Sequence, residues 1–141
     1  MDDGRPRQRG EADRETYREA SREAGRSPGT IVLEAGFSWA PDDADALEAA
    51  RVWKGAVPDE FYTDDWFDPQ AMYERGEEQV PDDDFRRRFI VSSDPGEHVA
   101  RIKELEQLVE GDVVVKLSNQ SGPNALEAIR IYGERVLPRL R

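Results

Sequence analysis

Two kinds of apolar pattern alternate along the chain. Contiguous or alternating apolar residues at positions 31–39, 89–91 and 112–117 are typical of strands, and the segments between them carry apolar residues at helical spacing. The strand at 112–117 (DVVVKL) has three successive valines and ends on Leu117, with Lys116 as the charged residue in its interior, and this run predicts a strand covered on both faces. The pattern therefore predicts an α/β fold with a parallel sheet.

Residues typical of helix starts and ends occur in the last part of the chain. Asp94 and Pro95 stand at the N-cap and first helical positions after the strand FIVSS, and Gly111 is placed to stop the helix that they begin. Pro123 opens a last helix, which we expect to end before Pro138. One cycle of strand, helix, strand and helix is therefore predicted here.

The first part of the chain is less regular. Residues 1–10 (MDDGRPRQRG) lack apolar periodicity and predict a disordered leader, and residues 11–24 predict a charged helix. We expect one α/β domain over residues 11–141. A helix is predicted at 41–54, and residues 55–88 form a long aromatic-rich excursion between strand–helix units. Such excursions are often lids or binding loops, although the aromatic side chains can also simply cover the helix layer.

Composition excludes several kinds of site. The 141 residues suffice for one domain, and the chain has no cysteine and a single histidine. Disulfides, thiolate zinc sites and a cysteine nucleophile are therefore excluded, and no metal site is predicted. His98 follows a capped helix start among charged residues, so we expect a solvated side chain and not a catalytic base. The apolar runs are strand-sized and no signal peptide is evident, which predicts a soluble cytoplasmic protein without a membrane partner.

The charge is strongly acidic. The formal net charge is −11, from 31 acidic against 20 basic residues. Such a surface repels nucleic acid, so that class of partner is excluded. The aspartate clusters lie mostly at predicted helix starts, where carboxylates favour the helix dipole, and they lack the spacing of a calcium loop. Arginine-rich, aspartate-rich acidity also fits a halophilic, salt-adapted organism, by association.

Three stretches carry a family resemblance: GFSWAPDDADALEAARVWKGA, RRRFIVSSDPGEHVARI and IYGERVLPRLR. They resemble the C-terminal end of luciferase-like (β/α)8 (TIM) barrel oxidoreductases, in particular the deazaflavin (coenzyme F420)-dependent branch related to glucose-6-phosphate dehydrogenase. The resemblance runs from about Tyr17 to Arg141 and implies the C-terminal βα units of an incomplete barrel.

Ligands of such barrels bind at the carboxyl ends of the strands. Ser38 and Trp39 end the first predicted strand, and Asn119 follows the DVVVKL strand within a polar turn. These three residues are candidates for substrate contact, although the turn around Asn119 can serve merely to start the last helix. Lys116, inside its strand, can face a barrel lumen, pair with Glu34 on a neighbouring strand, or extend to an edge.

Arg88 is the fourth candidate. The resemblance implies that it holds a substrate phosphate, because an arginine in the matching family motif does so, and guanidinium groups bind phosphate with two hydrogen bonds. The alternative is that Arg86, Arg87 and Arg88 only neutralise the acidic residues 82–84. The family's companion lysine falls near Tyr62, where this chain has no lysine, which argues against glucose 6-phosphate as substrate.

The resemblance implies hydride transfer between the deazaflavin of F420, or alternatively FMN, and a small organic substrate. Both phosphorylated and unphosphorylated substrates stay open. The family's catalytic residues lie on early strands that this chain lacks, so no catalytic residue is predicted. We expect the isolated chain to be inactive and not to bind the cofactor. The alternative is a non-catalytic half-barrel that binds a partner chain or an anionic ligand. Exposed strand edges predict a homo-oligomer or a complementing barrel chain in either case.

Overall fold

The computed structural model describes residues 6–108 and 112–141. A parallel sheet of three strands, β1 (Ile31–Ser38), β2 (Ile90–Val91) and β3 (Val113–Asn119), lies at its centre in the order β2-β1-β3. Strand β1 pairs along nearly all of its length with β3, but only its last two residues pair with β2. The described sheet is open, as the prediction of an incomplete barrel requires.

Seven α-helices surround the sheet within the described residues: α1 (Pro6–Glu23), α2 (Asp43–Ala50), α3 (Glu60–Thr63), α4 (Pro69–Gln79), α5 (Asp82–Arg88), α6 (Pro95–Gln107) and α7 (Ala125–Ile131). Short 3-10 segments follow α2 and flank the C-terminal helical region (Arg51–Ala56, Gly122–Asn124 and Leu137–Arg139), and a π-helical turn, Tyr132–Val136, extends α7. Among the described helices, none is long and apolar enough to cross a membrane.

Aspartate caps begin three of these helices. The carboxylates of Asp42, Asp68 and Asp94 accept hydrogen bonds from backbone N–H groups in the first turns of α2, α4 and α6. These bonds satisfy donors that have no partner within the helix, and Pro69 and Pro95 occupy positions where the missing N–H costs nothing. The helix start predicted from the sequence at Asp94 is confirmed.

The N-terminal helix is longer than predicted. Helix α1 begins at Pro6, so residues 6–10 of the predicted disordered leader are helical, because proline is tolerated in a first helical turn. Residues 1–5 and the predicted helix stop at Gly111 lie outside the described residues. Gly25 ends the helical region with φ +67°, a conformation that glycine adopts without the steric cost of a Cβ.

Two hydrophobic clusters cover the two faces of the sheet at its carboxyl end. The first packs Phe37, Trp39 and Ile90 against α6 and the C-terminal helices. The second packs Ala40 and Val91 against α2 and the segment after it, including the fully buried Phe85 of α5. The excursion at 55–88 therefore contributes to the core, although other aromatic residues of that segment, Tyr62 and Phe67, are exposed.

The amino-terminal half of the second face has no cover. We define the second face as the side of the sheet that carries the even-numbered residues of β1 and β3. Val32, Glu34 and Lys116 lie on it with about three-fifths of their side chains exposed, and Val114 is half exposed. The prediction that both faces of β3 are covered is therefore wrong for this half, since no described element packs there.

Candidate functional site

The carboxyl ends of the three strands meet at one edge of the sheet. The backbone N–H of Gln120 donates to the carbonyl of Phe37 (2.7 Å), and that of Ser92 donates to the carbonyl of Ser38 (3.2 Å). These bonds extend the pairing beyond the strands and align the three connecting loops. This is the edge at which parallel α/β proteins place their ligands.

Trp39 joins two of these loops. Its backbone N–H donates to Oγ of Ser121 (3.0 Å), and its indole Nε1–H donates to the carbonyl of Ser93 (2.9 Å). The side chain is almost fully buried in the first hydrophobic cluster. Trp39 therefore holds the edge together, with both of its N–H donors engaged inside the protein.

Ser38 and Asn119 are also engaged within the fold. The buried Ser38 hydroxyl donates to the carbonyl of Ala46 in α2 (2.7 Å). The Asn119 side chain donates to the carbonyl of Ala125 (2.9 Å) and accepts from the Ser121 N–H (3.1 Å). The structure thus brings Ser38, Trp39 and Asn119 together, and their contact with substrate stays a prediction.

A further link connects α2 with the start of α6. The Ser93 N–H donates to Oδ1 of Asp43 (2.7 Å), and the Asp94 N–H donates to Oγ of Ser92 (3.0 Å). The bond from the Ser93 backbone is the main reason that the pKa of Asp43 lies below its ordinary value. This carboxylate is therefore held ionised beside the strand ends.

Arg88 lies apart from the other three candidates. It is the last residue of α5, just before β2, and its exposed guanidinium makes no hydrogen bond or ion pair with any described residue. Arg87, by contrast, pairs with Asp84, and the carbonyls of Arg86 and Arg87 accept hydrogen bonds from Arg101. Within this run, Arg86 and Arg88 have guanidinium groups that form no ion pair among the described residues. The charge of Arg86 acts on the nearby Asp43, whereas the exposed Arg88 is left available for an anion.

His98 contradicts the prediction of a solvated side chain, because it is fully buried. Its Nε2 lies 2.8 Å from the carbonyl of Ser92, and its Nδ1 lies 2.7 Å from the hydroxyl of Tyr132. A carbonyl only accepts, so Nε2 carries the proton and Nδ1 accepts from Tyr132. Burial lowers the pKa of His98 and raises that of Tyr132, so both are neutral. The sequence did carry a signal for this burial, because His98 and the buried Ile102 are four residues apart and therefore lie on the same face of α6.

Gln120 is the residue at the strand ends whose side chain stays unpaired. It is 9% exposed, and its buried Oε1 has no hydrogen-bond partner among the described residues. Its amide lies directly over Gly36 of β1: a Cβ at Gly36 would be 2.6 Å from Nε2 of Gln120 and 2.6 Å from the ring of Phe89. Gly36 therefore makes room for a polar side chain on the second face.

An ion pair lies farther down the second face. Nζ of Lys116 is 3.2 Å from Oε1 of Glu34, to which the Ser118 hydroxyl also donates (3.0 Å). These hydrogen bonds, that from Ser118 first, lower the pKa of the Glu34 carboxyl. The alternative in which Lys116 pairs with Glu34 on the neighbouring strand is confirmed.

One cleft among the described residues lies away from the strand ends. An open cleft of about 380 Å³ is lined by Glu48, Arg51, Val52, Pro69, Gln70 and Tyr73, between the 3-10 segment and α4. Beneath this region the buried Lys54 pairs with Asp82 at 2.6 Å, which fixes α5 to the 3-10 segment. In the described ranges no cluster of carboxylates and histidine has the geometry to hold a metal ion.

Comparison with curated proteins finds relatives of one kind, although no family model matches the chain. The F420-dependent glucose-6-phosphate dehydrogenase of Microbacterium testaceum is 34% identical over 120 residues, which are 84% of this chain and 34% of the relative. The protein of the same name from Beutenbergia cavernae is 34% identical over 113 residues, 79% of this chain and 32% of the relative. The chain spans about a third of the length of these relatives.

A solved structure has the same fold. An F420-dependent secondary alcohol dehydrogenase in complex with an F420-acetone adduct superimposes with a TM-score of 0.79 and 25% identity, over 90% of this chain and 38% of that chain. The chain therefore corresponds to the C-terminal portion of an F420-dependent oxidoreductase with the luciferase-like (β/α)8 fold. Its sequence relatives are proteins named F420-dependent glucose-6-phosphate dehydrogenase.

The strand-end residues do not by themselves fit a deazaflavin. The donors of Ser38, Trp39 and Asn119 are engaged within the protein, and Trp39 is buried, so it offers no open face for a flat ring. The unpaired Oε1 of Gln120 and the free Arg88 are too few groups to hold a ring system of that size.

Proposed function

We propose that the chain supplies the C-terminal, substrate-side part of an oxidoreductase that transfers a hydride between F420 and a small organic substrate. The observation that carries this proposal is the 34% identity over 84% of the chain to a protein named for that cofactor. The named relatives and the solved structure all use F420, which favours it over FMN. In this proposal the other barrel strands supply the ring site and the proton donor.

The proposed partner is the missing part of the barrel, carried on a complementing chain. The inner faces of barrel strands are packed by side chains from the other strands. The bare half of the second face is its uncovered amino-terminal half. It carries both apolar and charged side chains, as such a surface does, with exposed Val32 and Val114 beside the Glu34–Lys116 pair. Homo-oligomerisation through the same face is the alternative way to cover it.

Arg88 is the proposed anchor for an anionic substrate group. Its guanidinium is exposed and unpaired within the described residues, whereas Arg87 is paired with Asp84. A phosphate ester is the substrate group that such a cation binds best, through two parallel hydrogen bonds. A phosphorylated substrate is therefore the form of the proposal that Arg88 supports.

A non-catalytic half-barrel is the second candidate. The observation that favours it is the use of Ser38, Trp39 and Asn119 in internal hydrogen bonds. In that case the chain binds a partner or an anion without redox chemistry.

Titration of the isolated chain with F420, followed by cofactor fluorescence, tests the first proposal. We expect no saturable binding and no turnover with glucose 6-phosphate or 2-propanol, because the ring site is incomplete. Submicromolar binding of F420 to the chain alone would contradict the proposal that the other strands are needed.

A further inference from the structure

We propose that Gln120 is a ligand-binding residue whose side-chain amide oxygen accepts a hydrogen bond from a hydroxyl group of a small-molecule substrate. This inference rests on the proposed function, because it places a substrate at the carboxyl ends of the strands. It names the chemical group that the site recognises there.

The contrast between Gln120 and its neighbours supports this assignment. Ser38, Trp39, Asn119 and Ser121 all form hydrogen bonds inside the protein, with distances between 2.7 and 3.1 Å. The Oε1 atom of Gln120 is as deeply buried as these groups, yet it has no donor among the described residues. A buried polar atom without a partner costs free energy, so its retention indicates a partner that binds from outside.

The position of the amide also suits a ligand. Gln120 is the first residue after β3, and its own N–H is fixed by the carbonyl of Phe37 at 2.7 Å. Gly36 leaves the space that the side chain occupies, with the Phe89 ring beside it. The amide is thereby held at the carboxyl edge of the sheet, on the same face as Ser118 of β3.

A hydroxyl group is the donor that fits best. An amide oxygen accepts from O–H or N–H groups but offers no charge to attract an ion. Phosphate recognition would thus fall to Arg88 and hydroxyl recognition to Gln120. Alcohols and sugar phosphates both carry the hydroxyl, which makes them suitable probes.

The first measurement is thermal unfolding of the full chain. In Gln120→Met and Gln120→Leu the side chain keeps a similar bulk and loses the unpaired acceptor, so we expect Tm values equal to or above that of the parent. In the control Ser121→Ala, a hydrogen-bonded hydroxyl is lost, and Tm should fall by roughly 3–6 °C. A comparable fall in both Gln120 variants would show a structural role and overturn the proposal.

The second measurement is a titration of the labelled chain with 2-propanol and with glucose 6-phosphate, followed by NMR. We expect saturable shifts of the Gln120 side-chain amide signals with at least one probe. The dissociation constant of that probe should rise about fivefold in Gln120→Met, because the variant loses one hydrogen bond between uncharged groups. Absence of saturable shifts with both probes, or equal affinity in the variant, would overturn the proposal. Neither measurement uses F420, so failure of the proposed redox function is detected separately.

Discussion

The imidazole of His98 and the phenol of Tyr132 meet in the core of the protein, with 2.7 Å between Nδ1 and the hydroxyl oxygen. The other ring nitrogen lies 2.8 Å from the carbonyl of Ser92, next to the end of β2. The pair therefore connects the C-terminal helical region with α6 and with the strand-end loop that carries Ser93.

This arrangement predicts that stability falls below neutral pH. Burial lowers the pKa of His98 below the ordinary 6.5, so the unfolded chain binds a proton that the folded chain does not. The stabilisation is complete above about pH 6.5 and declines as the pH falls from there towards the folded-state pKa, by up to about 1.4 kcal/mol per pH unit. Urea unfolding at several pH values between 7.5 and 5 measures this slope.

His98→Gln is the control for the pH dependence. The variant lacks the titrating group, so its free energy of unfolding should be lower at pH 7.5 and should change less between pH 7 and 5. The carboxyls with lowered pKa values, Glu34, Asp43 and Asp82, lose their contribution only at more acidic pH. An unchanged slope in His98→Gln would assign the effect to other groups.

The second prediction compares two glycines. In Gly36→Ala the new Cβ would overlap the side chains of Gln120 and Phe89, and we expect a loss of about 1–3 kcal/mol in the free energy of unfolding. In Gly133→Ala the new methyl meets no atom within 4 Å, so a gain of about 0.5–1 kcal/mol is expected from the more restricted unfolded chain. Denaturant titration of both variants measures the difference, and equal effects would contradict the packing described at Gly36.

The third prediction concerns Arg88. In a full-length relative that carries this chain's segment, Arg88→Ala should lower kcat/KM for a phosphate ester about 30-fold, as expected for loss of a charge-assisted contact worth about 2 kcal/mol. Arg87→Ala is the matched control, because its exposed pair with Asp84 contributes little. Equal effects of the two substitutions on kcat/KM would reduce Arg88 to part of a surface charge patch.

The fourth prediction is association of the isolated chain. Val32 and Val114 are exposed on the bare half of the second face, and covering them should drive dimers or larger species. Light scattering should therefore show a mass above 16.0 kDa that decreases on dilution or in Val114→Asp. Val52→Asp, at a similarly exposed valine outside the sheet, is the control. A monomer at all concentrations would contradict the need for cover on this face.

Local signals in the sequence predicted the elements well. The Asp94 cap and the alternation of strand and helix depend on neighbouring residues, and these features appear in the structure. The cover on β3 could not be predicted in this way. An apolar β-branched strand indicates burial in some final assembly, and here Val114 is exposed because no described element lies over it.

The candidate site was predictable in position but not in bonding. Ser38, Trp39 and Asn119 were placed correctly at strand ends, since that follows from the topology. Which polar atoms find partners depends on contacts such as that of Trp39 with Ser121, which are distant in sequence. The buried state of His98 and the unpaired oxygen of Gln120 are determined by the same long-range packing.

Complementation tests the central claim most directly. The chain is expressed together with the part of the Microbacterium testaceum relative that precedes the matched region, and reduction of F420 by glucose 6-phosphate and by 2-propanol is measured. We expect cofactor-dependent turnover from the two parts together and from neither alone. Steady turnover by the chain alone, or a soluble complex of the two parts that binds no F420, would contradict the account.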